Sequence, residues 1–400
     1  MYMSLSAAKP LFWGKIVPSI MPIFGTRPEA IKMAPIVHAL HESDEFDCIV
    51  TVTGQHREML DQVNELFGIT PDHDLDILQP GQSLSDIMTR TITGLDKLFA
   101  IDKPDAVIVQ GDTTTSTAGA IAAFYHGIPV VHVEAGLRSG NLYSPFPEEA
   151  NRKITSQITA LHLAPTSTSR ANLLAEGVHE KDIVVTGNSV IDALFTTVDK
   201  QIPFTDPQLE QLAASGRKIL LVTTHRRENQ GDAMRGVGRA LARIADAEPD
   251  LVIVLPAHKN PVVREAVLPA LEGKSNVIVT EPLAYGEFTR MLSLAHIVLT
   301  DSGGVQEEAP SLGKPVLVMR ENTERPEAVV AGTVTLIGTD EEKIVTEVDR
   351  LLNDPVHFDT MANAVNPYGD GRASERTVAA IAELLGVGHR IDEFGMTVSV

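Results

Sequence analysis

The sequence predicts an α/β protein built from two doubly wound, Rossmann-like domains that face a central cleft. Three observations predict this. Short apolar runs alternate along the whole chain with longer segments of helical periodicity. The runs are rich in Val and Ile and lack polar alternation, the pattern of strands covered on both faces in a parallel sheet. The 400-residue length suits two such units, and the alternation lapses once, between Asp192 and Gly216.

In the first half the strand-like runs are Ser19–Phe24, Cys48–Thr53, Ala106–Gln110, Pro129–Val133, Leu161–Ala164 and Ile183–Thr186. In the second they are Ile219–Thr223, Leu251–Leu255, Val277–Thr280, Ile297–Thr300 and Val316–Met319. Helices fit between them: Met234, Val237, Leu241 and Ile244 have the spacing of a helix with one buried stripe. Repeated βα units imply right-handed crossovers. The expected organisation is an extension at 1–15, a first domain at 16–190, a second at 191–370, a helix at 371–388 and a tail at 389–400. Pro18 and Pro22 lie beside and inside the first run; because proline removes a ladder donor, they predict an edge position or a shortened strand.

Composition excludes several classes. The formal charge is −20, from 33 Lys and Arg against 53 Asp and Glu, and no basic stripe stands out, which argues against nucleic acid as a partner. The segment Pro10 to Phe24 is too short and too broken by Lys15, Pro18 and Pro22 for a membrane span or a signal peptide. A single cysteine, Cys48, rules out a disulfide framework within the chain and reads as a buried thiol in the reducing cytoplasm. The thirteen histidines show no metal-ligand pairing, so no metal is expected.

Six motifs stand at junctions between strand and helix. In Phe24-Gly-Thr-Arg-Pro-Glu-Ala-Ile-Lys32, Gly25 suits a tight turn, Thr26 a helix cap and Pro28 the first turn. The helix N-terminus, with Arg27 and Lys32, favours an anion. The G-x-G-x-x-G spacing of dinucleotide-binding folds is absent there. In Gln110-Gly-Asp-Thr-Thr-Thr115, Asp112 suits either a cleft carboxylate or a helix cap. In Val131-His-Val-Glu-Ala-Gly-Leu-Arg138, Glu134 leaves a buried strand, a setting that raises a carboxyl pKa toward that of a general acid. A salt bridge to Arg138 is the alternative.

In Pro145-Phe-Pro-Glu-Glu-Ala-Asn-Arg152, Glu148 and Glu149 open a helix, and the helix dipole alone accounts for at least one of them. In Thr223-Thr-His-Arg-Arg-Glu-Asn229, His225, Arg226 and Arg227 at a strand end have the look of an anion clamp. In Leu299-Thr-Asp-Ser-Gly-Gly-Val-Gln-Glu-Glu-Ala309, Ser302, Gly303 and Gly304 let backbone N–H groups approach a pyrophosphate, and Glu308 can accept from ribose hydroxyls. Arg320 and Arg325 follow.

Together with Asn366-Pro-Tyr-Gly-Asp-Gly371, these six segments resemble the non-hydrolysing UDP-N-acetylglucosamine 2-epimerases over residues 19–386. The resemblance implies a fold like that of the B-type glycosyltransferases, a C-terminal helix within Ala373–Leu385 that crosses back to the first domain, and a homodimer. It implies that UDP-N-acetylglucosamine and UDP are the ligands, with no cofactor. Residue by residue, it makes Asp112, Glu134, Glu148 and His225 catalytic. It makes Arg27, Lys32, Phe288, Ser302, Gly303, Gly304, Glu308 and Arg325 substrate-binding. Gln55, His56, Gln82, Arg226 and Arg227 are similar to a second, activating substrate site of some bacterial members.

The chemistry such an enzyme must do is specific. The proton on C2 has no adjacent carbonyl and is not acidic. Expelling UDP first builds positive charge at C1 and loosens the C2–H bond, giving a 2-acetamidoglucal; re-addition with protonation from the other face inverts C2. Asp112 and Glu148 are expected to move protons, with Glu134 orienting the sugar or sharing that work, and His225 to bind diphosphate. The alternatives are a hydrolysing epimerase of the same fold, a UDP-sugar-dependent glycosyltransferase and a nucleotide-sugar sensor without catalysis.

Overall fold

A computed structural model describes residues 17–395 apart from 227, 228, 230 and 324. The predicted extension 1–15 and the predicted site residue Arg227 therefore lie outside the described residues.

Two parallel sheets carry the fold. The first contains β1 (Ser19–Phe24), β2 (Asp47–Cys48), β3 (Thr51–Val52), β4 (His73–Asp74), β5 (Ala106–Gln110), β6 (Val130–Val133), β7 (Leu161–Ala164) and β8 (Ile183–Val185). Their order is β4-β3-β1-β5-β6-β7-β8, with β2 also on β1. The second contains β9 (Ile219–Thr223), β10 (Val252–Pro256), β11 (Val277–Thr280), β12 (Ile297–Thr300), β13 (Val316–Val318) and β14 (Val334–Leu336), in the order β11-β10-β9-β12-β13-β14. In both, the strand order reverses direction beside the first strand, which marks the ligand crevice of doubly wound sheets.

The helices connecting the first sheet are α1 (Arg27–His41), α2 (Arg57–Phe67), α3 (Leu84–Phe99), α4 (Thr114–Tyr125), α5 (Glu148–Ile158) and α6 (Ser167–Ala175). The chain then passes through α7 (Ser189–Asp199) and α8 (Pro207–Ser215). Around the second sheet lie α9 (Asp232–Ala247), α10 (Pro261–Val267), α11 (Tyr285–Leu294), α12 (Gly303–Ser311), α13 (Pro326–Ala331), α14 (Glu341–Asn353) and α15 (Pro355–Ala362). The last helix, α16 (Ala373–Leu384), returns to pack on α1, α7 and β7. Ala380, Ile381 and Ala382 join the core on that face of the first sheet. The two sheets with covering helices are the fold that the apolar, non-alternating runs predict. In β1, Ile20 and Phe24 bury into one core while Met21 and Ile23 bury into the other.

The prolines of the first strand need a correction. β1 is neither an edge nor shortened: it runs six residues between β2 and β3 on one side and β5 on the other. Carbonyls of Pro18, Ile20 and Phe24 accept from Asp47, Ile49 and Thr53, so the even positions of β1 face β2 and β3. Pro22 has the same parity, and its missing N–H falls opposite the gap between Cys48 and Thr51. One predicted strand, Cys48–Thr53, is thus two short ones because the ladder lacks a donor there. Two strands escaped prediction: β4 is two polar residues and β14 only three.

Over its described residues, 389–395, the tail packs against β8 and α6. Phe394 N–H donates to the Val185 carbonyl at 2.8 Å, and Glu393 pairs with Arg170 at 2.7 Å. Cys48 is buried, and that burial, with Asp72 and Asp47 nearby, pushes its thiol up to about 12. Among the described residues no helix is long and apolar enough to cross a membrane.

Candidate active site

A cavity of about 490 Å³ opens between the carboxyl ends of the two sheets. From the first sheet's side come Arg27 and Lys32, on the helix after β1; from the second come His225, Tyr285, Phe288, the Ser302 turn and Arg325.

Local sequence explains the first wall. Thr26 is the N-cap of α1 and Pro28 lies in its first turn, as read from the motif. Glu29 reaches back from the third position to the N–H groups of Gly25 (3.1 Å) and Thr26 (2.8 Å). Gly25 is there for close approach rather than for a turn: a Cβ on it would sit 1.9 Å from the Thr53 hydroxyl. Lys32, one turn further on, meets Glu134 at 2.5 Å.

Glu134 directly follows β6, with a positive φ of 63°, and is buried. Its other partners are Gln110 Nε2 at 2.6 Å and Asn188 Nδ2 at 3.0 Å. The salt bridge to Arg138 does not form; that guanidinium binds Glu176 at 2.7 Å. The expected rise in the Glu134 pKa is also not found. Burial pushes it up, but Lys32, Arg325 and the Asn188 amide outweigh burial and hold it below the usual carboxylate range. Burial likewise disfavours charge on Lys32, and Glu134 with Glu307 overrides it.

The carboxylate with raised proton affinity is Glu308 instead. Burial and the neighbouring Glu307 push it up to about 7, although Tyr285, whose hydroxyl lies 3.3 Å away, opposes the shift.

Asp112 is not the cap of α4. Thr113 holds that position, its hydroxyl accepting from Ser116 N at 2.9 Å. The Asp112 carboxylate pairs with Arg152 at 2.5 Å, and its carbonyl accepts from Asn151 at 2.9 Å. The structure also separates the two acids that open α5. Glu149 is fully buried and holds the loop before the helix through Ser139 N (3.0 Å), Gly140 N (3.2 Å) and Arg152 (3.0 Å). Glu148 has one buried carboxylate oxygen without a hydrogen-bond partner. Asp112, Glu134 and Glu148 do not line the cavity itself. Glu134 adjoins it through Lys32, and α5 carries both Glu148 and the Asp112 partners.

On the second wall, Asp301 at the end of β12 is fully buried and fixes the β9 loop. It accepts from the N–H groups of His225 (2.9 Å) and Arg226 (3.0 Å) and from the Thr224 hydroxyl (3.0 Å). Its carboxylate also lies 3.1 Å from His225 Nδ1, which leaves Nε2 as the nitrogen open to a ligand. His258 stacks on the His225 ring at 5.8 Å. These contacts hold Asp301 below the usual carboxylate range despite its burial. Ser302 is the N-cap of α12, and its side chain makes no cap bond, so the first N–H groups of that helix stay available to an anion. Arg325 pairs with Glu307, the residue beside Glu308.

Of the predicted second-site residues that are described, Gln55, His56, Gln82 and Arg226 do not line this cavity. Gln55 is buried and accepts from the Thr115 hydroxyl at 2.8 Å. Gln82 accepts from Gln79 N at 3.1 Å and Arg90 at 3.3 Å, while His56 stands at the N-cap position of α2 without a side-chain cap bond. Arg226 does approach the Ser302 turn, since a Cβ on Gly303 would stand 3.6 Å from its guanidinium. Asn188, Asp301 and Glu307 went unassigned in the sequence. Asp301 and Glu307 stood inside a quoted motif, but nothing in a linear pattern pairs them with His225 or Arg325.

Two parallel sheets, a cleft at their carboxyl ends and an anion-binding turn on one wall define a B-type glycosyltransferase-like protein. The model of the family described as UDP-N-acetylglucosamine 2-epimerase matches residues 38–382, and the chain belongs to that family. The UDP-N-acetylglucosamine 2-epimerase of Escherichia coli K12 is 54% identical over 368 residues, 90% of this chain and 98% of that protein. The structure of S. aureus MnaA with UDP superposes with a TM-score of 0.82 at 46% identity, covering 94% of this chain and all of the other. The Neisseria meningitidis UDP-GlcNAc 2-epimerase bound to UDP-GlcNAc gives 0.80 at 46% identity, over 91% of this chain and all of the other.

Proposed function

We propose that this chain interconverts UDP-N-acetylglucosamine and UDP-N-acetylmannosamine without hydrolysis, by expelling UDP to a 2-acetamidoglucal and adding it back. The observation that carries the reading is the pairing of two unlike walls. One wall presents the open N-terminus of α12, Arg325 and His225, which suit a diphosphate. The other presents Lys32, with the buried Glu134 behind it; Asp112, after β5, and Glu148, at the start of α5, stand outside the cavity lining on the same side. We assign to this cavity the UDP-N-acetylglucosamine that the Neisseria relative binds.

In this reading Ser302, Gly303, Gly304, His225, Arg27 and Arg325 hold the diphosphate as charge builds on the leaving oxygen. Phe288 and Glu308 take the uridine and ribose. Asp112 and Glu148 move protons at C2, and Glu134, held ionised by Lys32, orients the sugar and stabilises charge at C1. Units of 16–190 and 191–370, a homodimer and a second substrate site around Gln55, His56, Gln82, Arg226 and Arg227 belong to the same proposal.

Incubation with UDP-N-acetylglucosamine, followed by separation of nucleotide sugars, tests it. The expected product is UDP-N-acetylmannosamine in equilibrium with the substrate. Free N-acetylmannosamine with stoichiometric UDP would instead indicate the hydrolysing reaction, and no change without an acceptor would indicate transfer or sensing.

A further inference from the structure

Asn188 stands where the chain leaves the first sheet, three residues past the end of β8, and all its polar atoms are engaged. Its N–H donates to the Tyr368 carbonyl at 2.7 Å, on the segment by which the chain returns. Its carbonyl accepts from Ile191 at 3.0 Å. Its Oδ1 accepts from Val190 N at 3.1 Å and so caps α7. With Oδ1 fixed, the amide nitrogen can point only one way. It donates to Glu134 Oε1 at 3.0 Å and to Glu307 Oε2 at 2.9 Å, one hydrogen to each.

Those two carboxylates come from opposite sides of the cleft. Glu134 follows β6 and holds Lys32 of α1; Glu307 lies on α12 and holds Arg325. Two cations and two anions thus meet across the cleft with one neutral amide between the anions. A cap alone does not require asparagine, because serine or aspartate caps equally well. Only an amide offers an oxygen to the cap and two N–H groups to two carboxylates.

We propose that Asn188 is a positioning residue for the reaction: by donating to Glu134 and Glu307 together, it assembles the acid–base and diphosphate halves of the site as one unit. The inference rests on the reaction proposed above. The groups around Glu134 are Lys32 from α1, Gln110 from β5, the Asn188 amide that it shares with Glu307, Arg325 from the second wall, and His132 of β6. His132, depressed to about 4 by burial, is neutral near pH 7.

Asn188→Ser keeps the cap and removes the amide. Turnover here means whichever UDP-sugar reaction the wild type performs, so failure of the epimerase reading and failure of this inference stay distinguishable. The variant should lose about 10-fold or more in kcat, with KM and UDP affinity changed less than about 3-fold, the split expected when alignment rather than binding is lost. Its melting temperature should fall modestly, because two buried carboxylates each lose a donor, while the fold is retained. Asn188→Asp, also a good cap, places a third carboxylate between two. Its turnover should fall further at pH 8 and recover partly below pH 6.5, where a shared proton restores a donor. A serine variant with wild-type kcat overturns the proposal, leaving Asn188 as a cap only. Should the serine variant not fold, an aspartate variant with no recovery at low pH overturns it.

Discussion

At the scale of single residues, environment divides the acids of the cleft into different roles. Glu149 and Asp301 are consumed in holding backbone loops, each accepting at least two N–H groups. Asp112 and Glu148 are not so used, and they are our proton carriers. Asp112→Asn retains an acceptor for Arg152, so the fold should stand. Turnover should fall by ~10²–10⁴-fold, the usual contribution of a general acid or base, with UDP affinity unchanged. Steady-state rates and a UDP titration check this, and near-normal turnover would remove Asp112 from the mechanism.

Glu308 makes a prediction about pH. Its folded pKa of about 7 lies above the ordinary 4.5, so the folded state binds the extra proton between those values. Its contribution to stability is present in full below the ordinary value and is lost as pH rises through 7. Glu308→Gln should therefore stabilise the unliganded protein at pH 8, by up to about 3 kcal/mol, and do nothing at pH 4.5. Denaturant melts at both pH values measure it; parallel stability–pH curves for the two proteins would contradict the shift.

At the scale of elements, strand-to-helix junctions carry the site because parallel strands end together on one edge. Capping chemistry made several of them legible. Thr26 and Pro28 opening α1 are local signals, and both take the positions expected of them; the return of Glu29 to the Gly25 and Thr26 N–H groups was not read from the sequence. The role of Gly25 was misread because a turn and a close approach leave the same trace in sequence. Gly25→Ala should force the Thr53 hydroxyl, itself 3.1 Å from Thr115, out of a fully buried position. We expect a loss of about 1–3 kcal/mol in urea unfolding, and an unchanged midpoint would refute the packing argument. The prolines of β1 were misread for a related reason. Proline shows that a donor is missing but not which neighbour lacks it, and only the register places the gap opposite Cys48 and Thr51.

At the scale of the whole molecule, the two sheets were legible because burial on both faces leaves unbroken Val and Ile runs. What was not legible is pairing across the cleft. Glu134 and Glu307 lie 173 positions apart, and the carboxyl of Glu134 is tuned by Lys32 and Arg325 rather than by its neighbours in sequence. The return of α16 to the first sheet was expected from family resemblance alone. The structure gives it a cause: Asp192 on α7 accepts from the N–H groups of Ala373 (3.2 Å) and Ser374 (2.8 Å) that begin α16.

The central claim is that inversion proceeds by breaking the C2–H bond after UDP departs. Proton NMR of UDP-N-acetylglucosamine turned over in heavy water tests it most directly. The account predicts UDP-N-acetylmannosamine carrying deuterium at C2, with the H2 signal missing from the product. A product that keeps its original C2 proton would contradict the account.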